Sequence, residues 1–356
     1  MTQEPRSTEP NGDRPMRIGV MSFAHTHASG YVRLLAAMPG IELRATDPDH
    51  GERPSGESGG ASLAAELGVD YVDTYDELLA WRPDAVVVCS ENTKHRDDVL
   101  RAAAAGAHVL CEKPLATTSE DAEAMVRACE DAGVTLMVAF PVRFSPAFRA
   151  LKERYDNGLL GNVYGISGTN NGKIPGERSW FTDPELAGGG ALTDHVVHIA
   201  DMLDALFGGT PATAVYAQAN GFFGSDARVE TGGLVSITYA NGVSATIDCS
   251  WSRPPSYPVW GGLTLHAVTD SGLVDVNPFA QRVDGFSEAA ANALWLGYGA
   301  NADEAMLAEF LSAIREGRRP QPDGEVGCRT VRIVEAAYRS VSTGGVAEPS
   351  RDSARA

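Results

Sequence analysis

The sequence is poor in the residues that staple or anchor a chain. Its five cysteines, Cys89, Cys111, Cys129, Cys249 and Cys328, are odd in number, scattered and never spaced as C-x-x-C. Neither a disulfide framework nor a thiolate zinc site is indicated, and a reducing cytoplasm is the compartment expected. No run approaches the ~18 consecutive apolar residues of a membrane helix, and the opening MTQEPRSTEPNGDRP is polar and proline-bearing, unlike a signal sequence. Residues 1–15 and 346–356 are expected to be disordered tails. Basic residues are few, 29 against 47 acidic for a net charge of -18. Neither nucleic acid nor an anionic membrane surface is therefore an expected partner.

What is present, in 356 residues of which 43% are hydrophobic, suits two domains with sizeable cores. From Met16 to Phe140 short apolar runs (RIGVM, IELRAT, DAVVVCS, HVLCE, TLMVAF) alternate with helical patterns at 31–38, 75–81, 96–105 and 119–132. Runs apolar on both faces, separated by helices, predict a doubly wound parallel sheet. Ser119 is the expected N-cap of the last helix and Gly133 its stop. After Phe140 come strands in series (VYGISGT, TAVYAQA, GGLVSITYA, VSATIDCSW, LTLHAVT, GLVDV), with ANG at 240–242 as a hairpin turn. These predict an α+β domain on an antiparallel sheet, closed by helices at 302–316 and 328–342. HGERPSGESGG, 50–60, reads as a mobile loop.

The first strand runs into SFAHTHASG. In a dinucleotide-binding fold this turn is glycine-rich, so that backbone and helix N-terminus approach a pyrophosphate. Here Ser22, Ala24 and His27 stand where the glycines belong, with Phe23 and His25 between them. The helix end survives, being a property of the backbone, and His25 and His27 are side-chain donors able to face a phosphate. Two other readings stay open: polar residues of a loop, or an H-x-H metal pair, for which no third ligand is evident in sequence and no metal is expected. Asp47, closing the second strand about 20 residues on, is placed to accept ribose hydroxyls and to favour NAD over NADP, which stays open. Arg53, in the loop that follows, is the group able to reverse that preference.

Two further stretches carry chemistry. AGAHVLCEKPLATT delivers Glu112 and Lys113 to the carboxyl edge of the parallel sheet, where open α/β sheets bind ligands, and Pro114 stops the strand. In ELAGGGALTDHVVHIADML, Asp194, His198 and Asp201 fall at i, i+4 and i+7, on one helix face. An Asp one turn from a His is expected to orient the imidazole and raise its pKa. His195, turned about 100 degrees off that face, is a secondary, substrate-side candidate. Read singly, Lys113 is more often a surface lysine beside a loop proline, and the Asp–His pair is more often structural.

Together with SENTKH (Ser90 to His95) and the terminal EFLSAIREGRRPQPDGEVGCRTVRIVEAAYRS, these stretches resemble the Gfo/Idh/MocA oxidoreductases, over residues 16 to 345. The resemblance implies an N-terminal Rossmann domain, 16–140, and a C-terminal domain, 141–345, built on a large open antiparallel sheet, whose final helices are expected to pack back on the first domain. It also implies an active site in the cleft, NAD or NADP, and a sugar, cyclitol or other polyhydroxy substrate. On it Lys113, Asp194 and His198 are catalytic, with His198 taking a hydroxyl proton, Asp194 holding the imidazole and Lys113 bonding the same oxygen. Ser90, Asn92, His95 and Glu112 line the cofactor, a cis bond precedes Pro114, and Arg143 opens the second domain at the substrate. Lys173, Arg178 and Trp180, in NNGKIPGERSWF, and the SWSRPPS segment are further substrate candidates. A homodimer or homotetramer is expected by analogy of fold. The first turn is the main departure from the family pattern. Two rival readings are a non-catalytic nucleotide-binding regulator and an enzyme recycling bound NAD for a net elimination or glycoside cleavage.

Overall fold

The computed structural model describes residues 14–350 apart from 225 and 290. Most of both expected tails lies outside these residues. Within them Ala347 pairs with Val215 in both directions at 2.8 Å, so ordered chain runs past residue 345.

Six strands form the first sheet: β1 (Met16–Met21), β2 (Ile41–Thr46), β3 (Asp70–Tyr71), β4 (Ala85–Val88), β5 (His108–Cys111) and β6 (Leu136–Val138). Their order is β3-β2-β1-β4-β5-β6, all parallel. The order reverses between β1 and β4, which opens a crevice at the carboxyl ends of those strands. β3, two residues long, carries too little pattern to be read in advance, and a helix at Gly60–Leu67 also escaped the sequence reading. The long helix Ser119–Asp131 is capped by Thr118, not Ser119: Thr118 has the extended backbone of a cap and its hydroxyl accepts the Asp121 N–H.

The second sheet holds β7 (Val163–Gly172), β8 (Ala212–Asn220), β9 (Gly232–Tyr239), β10 (Ser244–Asp248), β11 (Gly261–Thr269) and β12 (Gly272–Val276) in the order β12-β11-β7-β10-β9-β8. It is mixed, since β10 runs parallel to β7 and the other neighbours are antiparallel. The hairpin at Ala240–Gly242 is where the alternating runs place it. A short hairpin, β13 (Arg282–Ser287) with β14 (Asn292–Gly297), was not foreseen.

β9 alternates buried and exposed residues along its length, so one face of this sheet is core. That face packs on the helix Ala191–Leu206, buried along nearly its whole length, and on Gly324–Thr343. The opposite face leaves Tyr164, Tyr216, Leu234, Val268 and Leu273 exposed. The helix Ala302–Glu316 returns to the first domain and buries Met306, Leu307, Phe310 and Leu311 with Ile18, Tyr31 and Leu35. The two lobes are thereby joined, with the carboxyl edge of β1, β4 and β5 facing the start of the Ala191–Leu206 helix.

Candidate active site

β1 ends in a residue that behaves as a glycine without being one. Ser22 has φ 70, the left-handed region that non-glycine residues rarely adopt. Its hydroxyl compensates: it accepts the Ala24 N–H at 3.1 Å and an Arg53 N–H at 2.8 Å and donates to Asp47 at 3.0 Å. Asp47 in turn accepts two bonds from Arg53 and one from the Gly60 N–H. Burial would raise the Asp47 pKa, but Arg53 and the backbone N–H groups hold it below the ordinary carboxylate value. Four donors fill the carboxylate's lone-pair sites, and Arg53 also reaches Glu91 at 3.1 Å. The 50–60 stretch, expected to be mobile, is thus fastened at Arg53 and Gly60. Gly59 is obligatory there, since a Cβ would lie 2.7 Å from Asp47 Oδ2.

The next residues form a second buried network. The helix His27–Ala37 receives no bond from the side chain of Thr26 at its cap; instead the His27 N–H donates to His25 Nδ1 at 3.2 Å. His27 Nδ1 lies 2.9 Å from Glu112 Oε1, and the Tyr31 hydroxyl donates to the same oxygen at 2.8 Å. The Lys113 N–H donates to Glu112 Oε2 at 3.0 Å. Glu112 is fully buried, which opposes its charge, yet the His27 charge and hydrogen bond, with Lys113, hold its pKa well below the usual range. Burial holds His25 neutral, with its pKa well below the ordinary value.

β5 hands Lys113 directly to the second lobe. Its ammonium donates to Asp194 Oδ1 at 2.5 Å, while Asp194 Oδ2 accepts Trp251 Nε1–H at 3.1 Å and lies 3.2 Å from His195 Nε2. Burial opposes ionisation of Asp194, but Lys113 and His195 hold its pKa well below normal. His195 is anchored from behind by the Cys249 carbonyl at 3.1 Å, and β7 makes room for it with Gly172, where a Cβ would sit 2.9 Å from the ring. The expected Asp194–His198 pair does not form. Asp194 sits in the first turn of the helix, where a lysine, an indole and the adjacent imidazole compete successfully for two short-stemmed oxygens. His198 instead packs edge-on against Phe140 with Nδ1 buried and unpartnered. Its pKa is lowered, not raised: burial is the main cause, the Lys113 charge adds to it, and Asp194 only partly offsets them. The lowered pKa leaves His198 a neutral imidazole with a free ring nitrogen, a proton acceptor of reduced basicity.

Residues 54–140 match the model of an oxidoreductase family with an NAD-binding Rossmann fold, and 148–274 match the GFO/IDH/MocA C-terminal domain. A 1,5-anhydro-D-fructose reductase of Ensifer adhaerens is 32% identical over 295 residues, 81% of this chain and 87% of that one. The chain belongs to the Gfo/Idh/MocA oxidoreductases. A second relative of this family, the D-xylose 1-dehydrogenase (NADP(+)) 2 of Haloferax volcanii, is 32% identical over 304 residues, covering 82% of this chain and 89% of its own. GenD2 from gentamicin A biosynthesis, solved in complex with NAD, superposes with a TM-score of 0.84 at 25% identity, over 98% of this chain and 100% of that one. The first of the two matched segments begins at residue 54, beyond the histidine-bearing turn.

Set against the Gfo/Idh/MocA frame, several sequence candidates prove to be structural. Phe23 is core, and Ala24 is covered: Arg178 Nε and Trp180 Nε1 both donate to its carbonyl at 3.0 Å. Trp180, buried and stacked on Phe181, clamps the second lobe onto the first turn and presents no face to a sugar. Arg143 is spent on Asp201, with contacts of 2.5 and 3.0 Å, so it is not free for substrate. His95 bridges the Pro114 and Ser90 carbonyls, which fixes the loop after β4 against the cis Lys113–Pro114 bond that the resemblance implied. Asn92 donates to the Ala187 carbonyl across the cleft and keeps Oδ1 unpartnered. Lys173, half-buried, shows no side-chain partner among the described residues and follows Gly172, beside His195.

Trp251 and Tyr31 were missed as site residues. Tyr31 was legible in principle, four residues from His27 and so on the same helix face; Trp251 was not, since nothing local ties it to Asp194. For a nicotinamide dinucleotide the residues fit: His25 Nε2, Asn92 Oδ1 and His198 Nδ1 are buried polar atoms around the crevice without hydrogen-bond partners among the described residues. At the adenosine ribose Asp47 is already saturated by Arg53.

Proposed function

We propose that the chain is an NAD(P)-dependent dehydrogenase that oxidises a secondary hydroxyl of a sugar, cyclitol or related polyol. The observation that carries this is Lys113 bound to Asp194 across the lobes, at 2.5 Å, with neutral His198 on the same helix one turn on. When bound, the cofactor supplies a hydride acceptor at its nicotinamide. This chain's own residues handle the proton: His198 accepts it from the hydroxyl, and Lys113 donates a hydrogen bond to the developing alkoxide. Asp194 positions the ammonium, with His195 and Trp251 fixing Asp194. Ser22, Asn92, Glu112 and the His25–His27 turn serve the cofactor. Lys173, which follows Gly172 at the end of β7, is the candidate cation for orienting substrate. The test is reduction of NAD+ or NADP+, read by absorbance, against a panel of aldoses, cyclitols and anhydrosugars; no turnover with any of them would remove the proposal.

Cofactor choice rests on Arg53 as much as on Asp47. With Arg53 paired to Asp47, the acid does not repel a 2'-phosphate. Arg53→Ala frees the carboxylate and removes a cation, and is expected to weaken NADP+ binding relative to NAD+ by about 10- to 100-fold, the effect of one charge-assisted bond. Titration of both cofactors against wild type and variant checks this; an unchanged ratio contradicts it.

The exposed apolar face of the second sheet, Tyr216, Leu234, Val268 and Leu273 among its residues, is proposed to pair with another copy. Sedimentation equilibrium is expected to return a dimer or tetramer, and a monomer at micromolar concentration would count against it.

A further inference from the structure

The first turn lacks the glycines through which such turns bring backbone close to phosphate. Ser22 and Ala24 carry Cβ atoms, the Ala24 carbonyl is covered by Arg178 and Trp180, and the first helical N–H is consumed by His25 Nδ1. What the turn offers instead are ring nitrogens. Because His25 Nδ1 accepts a hydrogen bond, its proton sits on Nε2, and that N–H is buried in a ring only 1% exposed with no acceptor among the described residues. An unmet buried donor calls for an acceptor from outside the chain. His27 is the complement. Its Nδ1 faces the buried carboxylate of Glu112, which Tyr31 and the Lys113 N–H hold from the other sides, while 41% of its side chain remains exposed. The N–H left on Nε2 after protonation is therefore the accessible end of the network.

We propose that His25 and His27 form a two-imidazole cradle for the cofactor diphosphate, with the Glu112 carboxylate 2.9 Å behind His27 Nδ1, so that cofactor affinity falls when His27 loses its proton. The inference rests on the dinucleotide-dependent reading above and names how the same site is regulated. The groups facing His27 are Glu112 from the end of β5, Tyr31 on its own helix, His25 in the turn, Lys113, Asp303 at the start of the Ala302–Glu316 helix, and His198 more remotely. Burial opposes the cation most, and the Lys113 charge adds to it. The Glu112 charge and hydrogen bond, with Asp303, outweigh them and raise the His27 pKa above its ordinary 6.5. A diphosphate beside it raises that value further. The sign follows: binding is strongest with the ring protonated, below the His27 pKa, and weakens above it.

The experiment is fluorescence titration of NADH from about pH 6 to about pH 9, repeated with ADP-ribose as competitor because it keeps the diphosphate and lacks the nicotinamide. Wild type is expected to lose affinity by up to about tenfold per pH unit above the His27 midpoint. His27→Gln is expected to bind about 10- to 100-fold more weakly at low pH and to show no slope. Glu112→Gln should move the midpoint to lower pH, and His25→Gln should weaken binding while keeping the slope. Side-chain 15N spectra of wild type need no variant: the His27 ring must titrate and must shift on adding ADP-ribose. An unshifted ring, a flat wild-type profile with NADH bound, or a slope that persists in His27→Gln overturns the cradle and leaves the oxidoreductase reading intact. Failure of wild type to bind either NADH or NADPH overturns both. Stoichiometric Zn2+ binding lost in His27→Gln also overturns it, since the ring lone pairs of His25 and His27 would then serve a metal with Glu112.

Discussion

Lys113→Met is expected to cut kcat by about 100- to 10,000-fold, the range spanned by positioned proton-handling groups, while NADH affinity changes little. The reason is location. Lys113 is brought by β5 to the crevice and projects into the second lobe, where its ammonium meets Asp194 at 2.5 Å. Methionine keeps the apolar stem and the volume but removes the donor for the substrate oxygen. Because the stem stays packed, the loss should fall on kcat and not on cofactor binding. Steady-state kinetics with a substrate taken from the panel, paired with NADH titration, separates the two. Near-normal turnover in the variant would mean that the lysine serves the fold alone.

Asp194→Asn should be costly twice over. Removing one member of a buried ion pair typically destabilises by about 3–5 kcal/mol, because the remaining charge is left uncompensated. Lys113 is the charge stranded here, with His195 losing its acceptor as well. Turnover should fall alongside stability, since an ammonium without its anchor no longer sits at the reacting oxygen. The two substitutions act on one unit, so Lys113→Met/Asp194→Asn should lose far less than the sum of the single losses. Additive losses in a denaturation and kinetic cycle would show that the contact is incidental. The pH dependence has a definite sign. The Asp194 pKa is depressed, burial notwithstanding, by Lys113 and His195, so its contribution to stability is in place above the ordinary value of 3.8 and is lost only as pH falls below it toward the folded-state pKa. The asparagine variant should lack that acid-side loss.

Much of the fold was legible because strands buried on both faces read as continuous apolar runs, and the second sheet's strands alternate. What escaped was short or governed from elsewhere: β3 has two residues, and the Gly60–Leu67 helix lies beside a run of glycines and serines. The site divides along the same line. Lys113, at a strand end beside a proline, and Asp194, in the first turn of a helix after three glycines, were singled out from their motifs, and the two meet at 2.5 Å. Their partners were not, because helix geometry says which residues share a face but not which distant side chain will claim a carboxylate. So the Asp194–His198 pair gave way to Lys113, His195 and Trp251. Arg143, Arg178 and Trp180 were taken for substrate residues by position, and each is bound to Asp201 or to the Ala24 carbonyl. The first turn showed the reverse. Its sequence lacked the expected glycines, yet Ser22 adopts a glycine-like φ of 70, with its hydroxyl bonded to Asp47, Arg53 and the Ala24 N–H.

The central claim is that a lysine from one lobe and an imidazole from the other act on a single oxygen. The measurement that reaches it most directly is a crystal structure of the ternary complex with NADH and a substrate polyol. The account predicts one hydroxyl oxygen within hydrogen-bond distance, about 3.2 Å or less, of both Lys113 Nζ and a ring nitrogen of His198, its carbon facing the nicotinamide. A polyol bound so that either group lies beyond reach of that oxygen, in a complex that turns over, contradicts it.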